Sequence, residues 1–367
     1  KKYKFNEQIN KKYISDQIKK IFFQKKKIKP LNLIPFGIKD NINTLSLDTK
    51  FGIKTRKKFK SGNNARVVSS IEEGGGVIFS KVTCAEFAVH HIDKKKGRNP
   101  YNQNFIAGTS STGSAISVAV GALPIAIGTQ TAGSILRPSS YCGVIGFKPT
   151  YGAIDRIGVL KTNDLSDTVG IISKDFYGLK KSFKSLIKIS NDYPWTKNYY
   201  KNYNKYKLKK KIKIAFIDEE LDFLKNFETD TISAYQSTIM KFKEKKYTVN
   251  KVVLSDLLNN FHENFYILYH NSLYYYLKNI NPSLKGLSKI LKKIINGGKK
   301  TSYSKKLDII KKFSKIEKIF NKRIKNFDFI IIPTTAGAAP RLDEKEKDDS
   351  CLIWTTFGLP TISIPIY

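Results

Sequence analysis

Apolar residues in this chain fall into short unbroken runs, which predict buried strands, and into three- and four-residue spacings, which predict helices. Leu33 to Ile42, LIPFGIKDNI, reads as a strand running into a turn. Val77 to Val82 reads as a strand behind the tight turn of Gly74, Gly75 and Gly76. SAISVAVGA predicts a small-residue helix that can pack closely, LPIAIGT a short buried strand, and QTAGS a glycine-bearing loop after it. Farther on, KIKIAFI predicts a strand, Ile232, Tyr235, Ile239 and Phe242 an amphipathic helix, and YTVNKVVL a second strand, together a β-α-β unit. Leu268 to Lys325 is lysine-rich and helical in pattern, and FDFIIIPTTAGAAP returns to a buried strand with a small-residue loop. This alternation predicts an α/β architecture. The basic tract YYKNYNKYKLKKK, Tyr199 to Lys211, is the best candidate for a boundary or surface loop.

Charge sharpens the picture in one place. The chain of 367 residues carries a net charge of +36, yet from Phe105 to Phe147 Arg137 is the only charged side chain. That stretch is expected at the centre of the fold. Elsewhere the basic residues are spread from Lys1 to Lys347 among abundant Asn, Ile, Tyr and Phe. A+T-rich codons produce such a composition without selection, so a specific nucleic-acid partner is not favoured. A hydrophobic content of 41% is that of a globular protein, and no apolar run approaches a membrane span. Cys84, Cys142 and Cys351 are far apart and odd in number, which fits buried thiols in a reducing, cytoplasmic setting and no zinc spacing. Both ends read as cut, Lys1 without an initiating Met and Tyr367 inside the apolar run PTISIPIY.

Several chemistries lack their residues. GTSSTGSA, Gly108 to Ala115, has the G-x-x-x-x-G spacing of a phosphate loop but Ser114 where that loop needs lysine. No G-x-S-x-G elbow, H-E-x-x-H motif, EF-hand or dinucleotide fingerprint is present. The histidines are His90, His91, His262 and His270, in no catalytic context, so a base other than histidine is expected. Lys39, in PFGIKDNI, stands among apolar and glycine residues rather than other lysines. Burial could turn it into a general base, or it could be a strand-end lysine reaching for water. Ser134, in GTQTAGSILRP, follows a buried strand through small residues whose amides can converge on one point. Acyl transfer needs such a loop, although an N-cap or turn serine would look the same.

The order of these segments resembles the amidase signature family. GTSSTGSAISVAVGALPIAIGTQTAGSILRPSSYCGVIGFKPTYG is similar to that family's signature block. IPFGIKDNI matches its upstream lysine motif, GGGVIFSKVTCAEFA the segment before the block and LSDTVG the segment after it. FIIIPTTAGAAP and WTTFGLPTISIP match its later strands. The resemblance covers about residues 31–175 and 327–365 and leaves the stretch 176–326 as a variable, substrate-side region. It implies one domain over 1–367, built on a large mixed, twisted β-sheet with helices on both sides. It implies hydrolysis of a carboxylic amide without metal or cofactor, by a Ser–Ser–Lys triad. Ser134 would be the nucleophile, Ser110 a bridging serine held by a cis peptide bond, and Lys39 the neutral base. Backbone amides of Thr131, Ala132, Gly133 and Ser134 would receive the oxyanion. Thr109, Thr112 and Ala132 stand where the family usually has glycine, and Ser80 and Val82 depart beside Lys81. Arg137 could bind a substrate carboxylate, though an internal carboxylate partner is preferred because an unpaired buried guanidinium is costly. The expected partner is a small-molecule amide, a homodimer is allowed, and no membrane contact is expected. One alternative is the glutamine amidase subunit of a tRNA amidotransferase, whose usual G-S-D-T-G-G-S-I-R-Q-P differs here at Gln130, Leu136 and Arg137. Another is a basic polyanion-binding protein on a non-catalytic amidase-like fold.

Overall fold

The computed structural model describes every residue except 1–2, 24–27, 54–60, 90–96, 188–210, 219, 221–223, 281–282, 284–285, 345 and 367. His90, His91 and all of the basic tract except Lys211 therefore lie outside the described residues.

The nearly uncharged stretch becomes the middle of a sheet. Strands β1 (Asn6–Ile9), β2 (Pro35–Lys39), β3 (Val77–Val82), β4 (Ile125–Gln130), β5 (Ile145–Lys148), β6 (Thr168–Ser173) and β10 (Thr361–Ser363) pair in the order β1-β3-β2-β4-β6-β5-β10. β3, β2 and β4 run parallel, and the other pairings are antiparallel. Every residue of β4 and β6 is buried, as continuous apolar runs covered on both faces should be. Two apolar layers do the covering. One gathers Leu31, Val68 and Ile71 with Leu179 and Leu186 of a helix at Phe176–Leu186; the other gathers Ala115, Ile116 and Val118 with Ile135 and Ile172. The large mixed sheet flanked by helices is therefore present.

A second sheet holds the β-α-β unit. β7 (Lys213–Ile217) runs parallel to both β8 (Thr248–Val252) and β9 (Phe329–Ile331), with a helix at Thr229–Glu244 between β7 and β8. FDFIIIPTTAGAAP thus supplies a strand to the small sheet. WTTFGLPTISIP departs from a purely strand-like reading. Cys351–Thr356 is a buried helix, and only Thr361–Ser363 is a strand. Three long helices follow the small sheet's first two strands: αA (Phe261–Ile280), αB (Lys289–Lys299) and αC (Tyr303–Ile324). In αC, Ile309, Phe313, Ile316 and Phe320 form a buried stripe at helical spacing while the lysines between them face out. These helices share one apolar cluster with Phe51, Phe87, Ala132 and Leu160 from the main-sheet side.

Because β2 and β4 are parallel neighbours, Lys39 and Gln130 end at the same edge of the sheet. The crevice beyond the carboxyl ends of parallel strands is where α/β folds place their chemistry.

Candidate active site

Lys39, the last residue of β2, is completely buried. Its Nζ donates to Ser110 Oγ at 2.8 Å, to Thr129 Oγ1 at 2.8 Å and to the Thr129 carbonyl at 3.1 Å. Asn41 Nδ2 donates to the same Thr129 hydroxyl at 2.9 Å, which holds that acceptor in place. Burial pulls the Lys39 pKa from 10.5 to about 7, against opposing upward effects of the nearby Cys84 and Asp167 side chains. An amine so shifted is substantially neutral near physiological pH. Lys81 and Lys148 are also fully buried and pulled down by burial, to about 8 and about 7. Lys81, however, bonds the Ile42 carbonyl and Thr49 Oγ1, and Lys148 the carbonyls of Pro149 and Leu359. The downward shift is common to all three lysines; the contact with a serine hydroxyl is what sets Lys39 apart from the other two.

Ser110 follows a cis peptide bond from Thr109 and is completely buried. Its loop is sewn to the rest of the site. Ala85 N donates to the Ser110 carbonyl at 3.2 Å, Ser111 N to the Ser134 carbonyl at 3.1 Å, and Ser111 Oγ to the Thr129 carbonyl at 3.2 Å. Two glycines allow this closeness. Gly108 has φ +81°, and a Cβ there would lie 2.8 Å from Pro138 Cα; a Cβ on Gly128 would lie 2.9 Å from Ser111 Oγ. Thr112 Oγ1 bonds the Gly108 carbonyl at 2.7 Å, so one departure from the glycine pattern fastens the loop. The helix predicted from SAISVAVGA starts earlier, at Thr112, because this fastening already curls the chain.

Ser134 lies 5% exposed in the loop after β4. Gln130 Oε1 accepts from the amides of Ile135 at 2.7 Å and Leu136 at 3.0 Å, bending the loop back on itself. Gln130 Nε2 donates to Thr355 Oγ1 at 2.7 Å, and that hydroxyl stands 2.7 Å from the Ala132 carbonyl. Among the described residues the amides of Thr131, Ala132, Gly133 and Ser134 meet no acceptor. Thr131 Oγ1 donates to Asp167 Oδ1 at 2.7 Å. The Lys39–Ser110 contact is direct, whereas Ser134 joins them through the backbone of Ser111.

Arg137 is 4% exposed and already paired. Its Nε lies 2.6 Å from Asp349 Oδ2, and its Nη1 donates to the Thr109 carbonyl at 3.3 Å. Nothing in the sequence pattern marked Asp349, Thr355 or Thr129 as neighbours of the site. Asn41 was not marked either, because it lies past the strand in the turn closed by the Ile42 amide on the Lys39 carbonyl, where no two-residue period applies. His262 bonds the Asp349 carbonyl at 3.0 Å and His270 lies against Gly298, so neither touches Lys39 or the serines. Cys84, Cys142 and Cys351 are buried and form no disulfide with one another. No group of histidine, cysteine and acidic residues suited to a metal ion occurs among the described residues.

The sequence model of the Amidase family matches residues 7–366. The chain belongs to the Amidase family. A glutamyl-tRNA(Gln) amidotransferase subunit of Clostridium acetobutylicum is 29% identical over 378 residues, spanning 91% of this chain and 77% of that protein. The peptide amidase of Stenotrophomonas maltophilia superposes with a TM-score of 0.82 at 20% identity, over 99% of this chain and 82% of that one. Allophanate hydrolase of Kluyveromyces lactis superposes with a TM-score of 0.87 at 21% identity, over 100% of this chain and 62% of that one. These two likenesses establish the fold. The membership makes this Amidase family chain an enzyme acting on amide C–N bonds. Among the described residues no helix is long and apolar enough to cross a membrane.

Proposed function

We propose that this amidase cleaves its substrate through an acyl-enzyme on Ser134, with Ser110 and Lys39 as the proton relay. The observation that carries this reading is the 2.8 Å bond from Lys39 Nζ to Ser110 Oγ, in a loop bonded to Ser134. Ser134 Oγ attacks the amide carbonyl while its proton passes to Ser110, whose own proton passes to neutral Lys39. The free amides of residues 131–134 support a role in receiving the oxyanion. The protonated relay then returns a proton to the leaving amine, and water cleaves the ester by the same route. The Asp349 contact supports a bracing role for Arg137 rather than capture of a substrate carboxylate. Three buried cysteines outside any disulfide support a cytoplasmic working place.

Lys39→Ala, Ser110→Ala and Ser134→Ala should each lower turnover of a responsive amide at least ~100-fold, the lower end for losing an acid–base partner. A fluorophosphonate probe should label the wild type at Ser134. Turnover by the Ser134→Ala protein would overturn the reading.

A second reading, the ammonia-releasing component of an amidotransferase, is favoured by the name of the Clostridium relative. The sequence differences that argued against it lose weight here. Gln130 accepts two loop amides, work an aspartate can equally do, Leu136 is buried, and Arg137 is held by Asp349. Co-purification of partner proteins together with glutamine-specific turnover would select this second reading.

A further inference from the structure

Asp167, just before β6, has no part in the proton relay, yet it is the most heavily bonded carboxylate beside the site. It is 8% exposed. Its Oδ1 accepts from the hydroxyls of Thr131 and Thr162, both at 2.7 Å. Its Oδ2 accepts from the amides of Thr162 at 2.7 Å and Asn163 at 2.9 Å, and Arg156 Nη1 stands 3.6 Å away. Thr131 opens the run of free amides that precedes and includes Ser134, and Asp167 and Thr162 hold its hydroxyl. The other end of that loop is held separately, by Gln130 and Thr355.

The carboxylate is itself anchored from outside the main sheet. Arg156 is 7% exposed, and its Nη2 pairs with Asp164 Oδ1 at 2.6 Å. Asp164 Oδ2 in turn accepts from Tyr276 on αA. A continuous path, Tyr276–Asp164–Arg156–Asp167–Thr131, therefore joins αA to the loop that carries Ser134.

We infer that Asp167 is a positioning residue for acyl transfer, fixing through Thr131 the direction in which the loop amides point. The inference rests on the Ser134 acyl-enzyme reading. Amide donors act only if they are aimed at the place where the oxyanion forms, and an error of about 1 Å can lower the rate on the order of 100-fold. Asp167 also acts on the base. Its negative charge favours the protonated form of Lys39, as does the group Cys84 contributes from the loop after β3. Arg156 and, from αA, Tyr269 face the carboxylate itself.

The test is the pH dependence of fluorophosphonate labelling at Ser134, measured on the full chain with the labelled residue located by peptide mapping. Asp167→Asn keeps the shape and removes the charge. It should slow labelling ~10- to 100-fold, as loss of loop alignment would. It should also move the rising limb of the pH profile to lower pH, because Lys39 loses a neighbour that favours its protonated form. A purely structural aspartate would lower the melting temperature and leave that limb in place. Thr131→Val should slow labelling similarly while the limb stays put, since the charge remains. Asp167→Asn labelling at the wild-type rate, or with an unmoved limb, overturns the inference. If that variant does not fold, Thr131→Val labelling at the wild-type rate overturns it instead. Failure of the underlying reading looks different, because the wild type itself would then go unlabelled at Ser134.

Discussion

Lys39, Lys81 and Lys148 show how one physical change serves two purposes. Each is buried and bonded to hydroxyls or carbonyls, and burial lowers each pKa. Two of them fasten backbone carbonyls, whereas Lys39 alone of the three meets a serine hydroxyl in the 108–112 loop. A base must be neutral to accept a proton, so activity should be lost as pH falls through about 7, the value burial gives Lys39, and should level off above it. The fluorophosphonate labelling rate, followed across that limb, checks this. Lys39→Arg should abolish the limb along with most of the rate, because a guanidinium stays charged throughout. Lys39 and Ser134 were legible because each broke its local pattern, a lone lysine among apolar residues and a serine after a buried strand. Ser110 was one of several hydroxyls, and only the family resemblance singled it out. Asp349 was not legible at all. It meets Arg137 across 212 residues, and no spacing rule reaches that far.

At the level of elements, the apolar pattern located strands better than it chose their partners. The run FIII reads as a buried strand, but Phe329–Ile331 is an edge strand of the small sheet, with Phe329 exposed and Ile330 and Ile331 half-buried. Its place beside β7 rather than in the main sheet depends on how αC returns the chain, which the run does not encode. The helix at Cys351–Thr356 was hidden because a short helix buried at all but its last residue shows no polar face. Helix pairing offers a direct check in αB. Gly298 packs on αA so closely that a Cβ would overlap the His270 carbonyl, while nothing lies within 4 Å of a Cβ on its neighbour Gly297. Gly298→Ala should destabilise the protein by about 1–3 kcal/mol, the usual effect of overpacking. Gly297→Ala should stabilise it by about 0.5–1 kcal/mol, since alanine restricts the unfolded chain and suits a helix. Urea denaturation of the two variants should show opposite shifts of the midpoint.

Across the whole molecule, one apolar cluster joins the long helices to Phe51, Phe87, Ala132 and Leu160. Many of the chain's lysines lie on the outer faces of αB and αC, opposite the buried stripes. That placement accounts for part of the +36 charge as solvated surface and gives the polyanion alternative no focused site. The ties that complete the active site are long-range. Breaking the buried Arg137–Asp349 pair by Asp349→Ala should destabilise the fold by about 3–5 kcal/mol, because it strands a guanidinium in the interior. Chemical denaturation measures the loss.

Thr355 and Asp349 bear on how the protein is made. Both grip the Ser134 loop or the short helix after it, Leu136–Tyr141, from a stretch that leaves the ribosome more than two hundred residues behind Ser134. At synthesis rates of about 5–20 residues per second, that is an interval on the order of ten seconds or more. During it the serine exists but its clasp does not. A growing chain therefore carries the Ser134 loop without the contacts that hold it in the finished fold. The contacts from Thr355 form only once the helix at Cys351–Thr356 has been made.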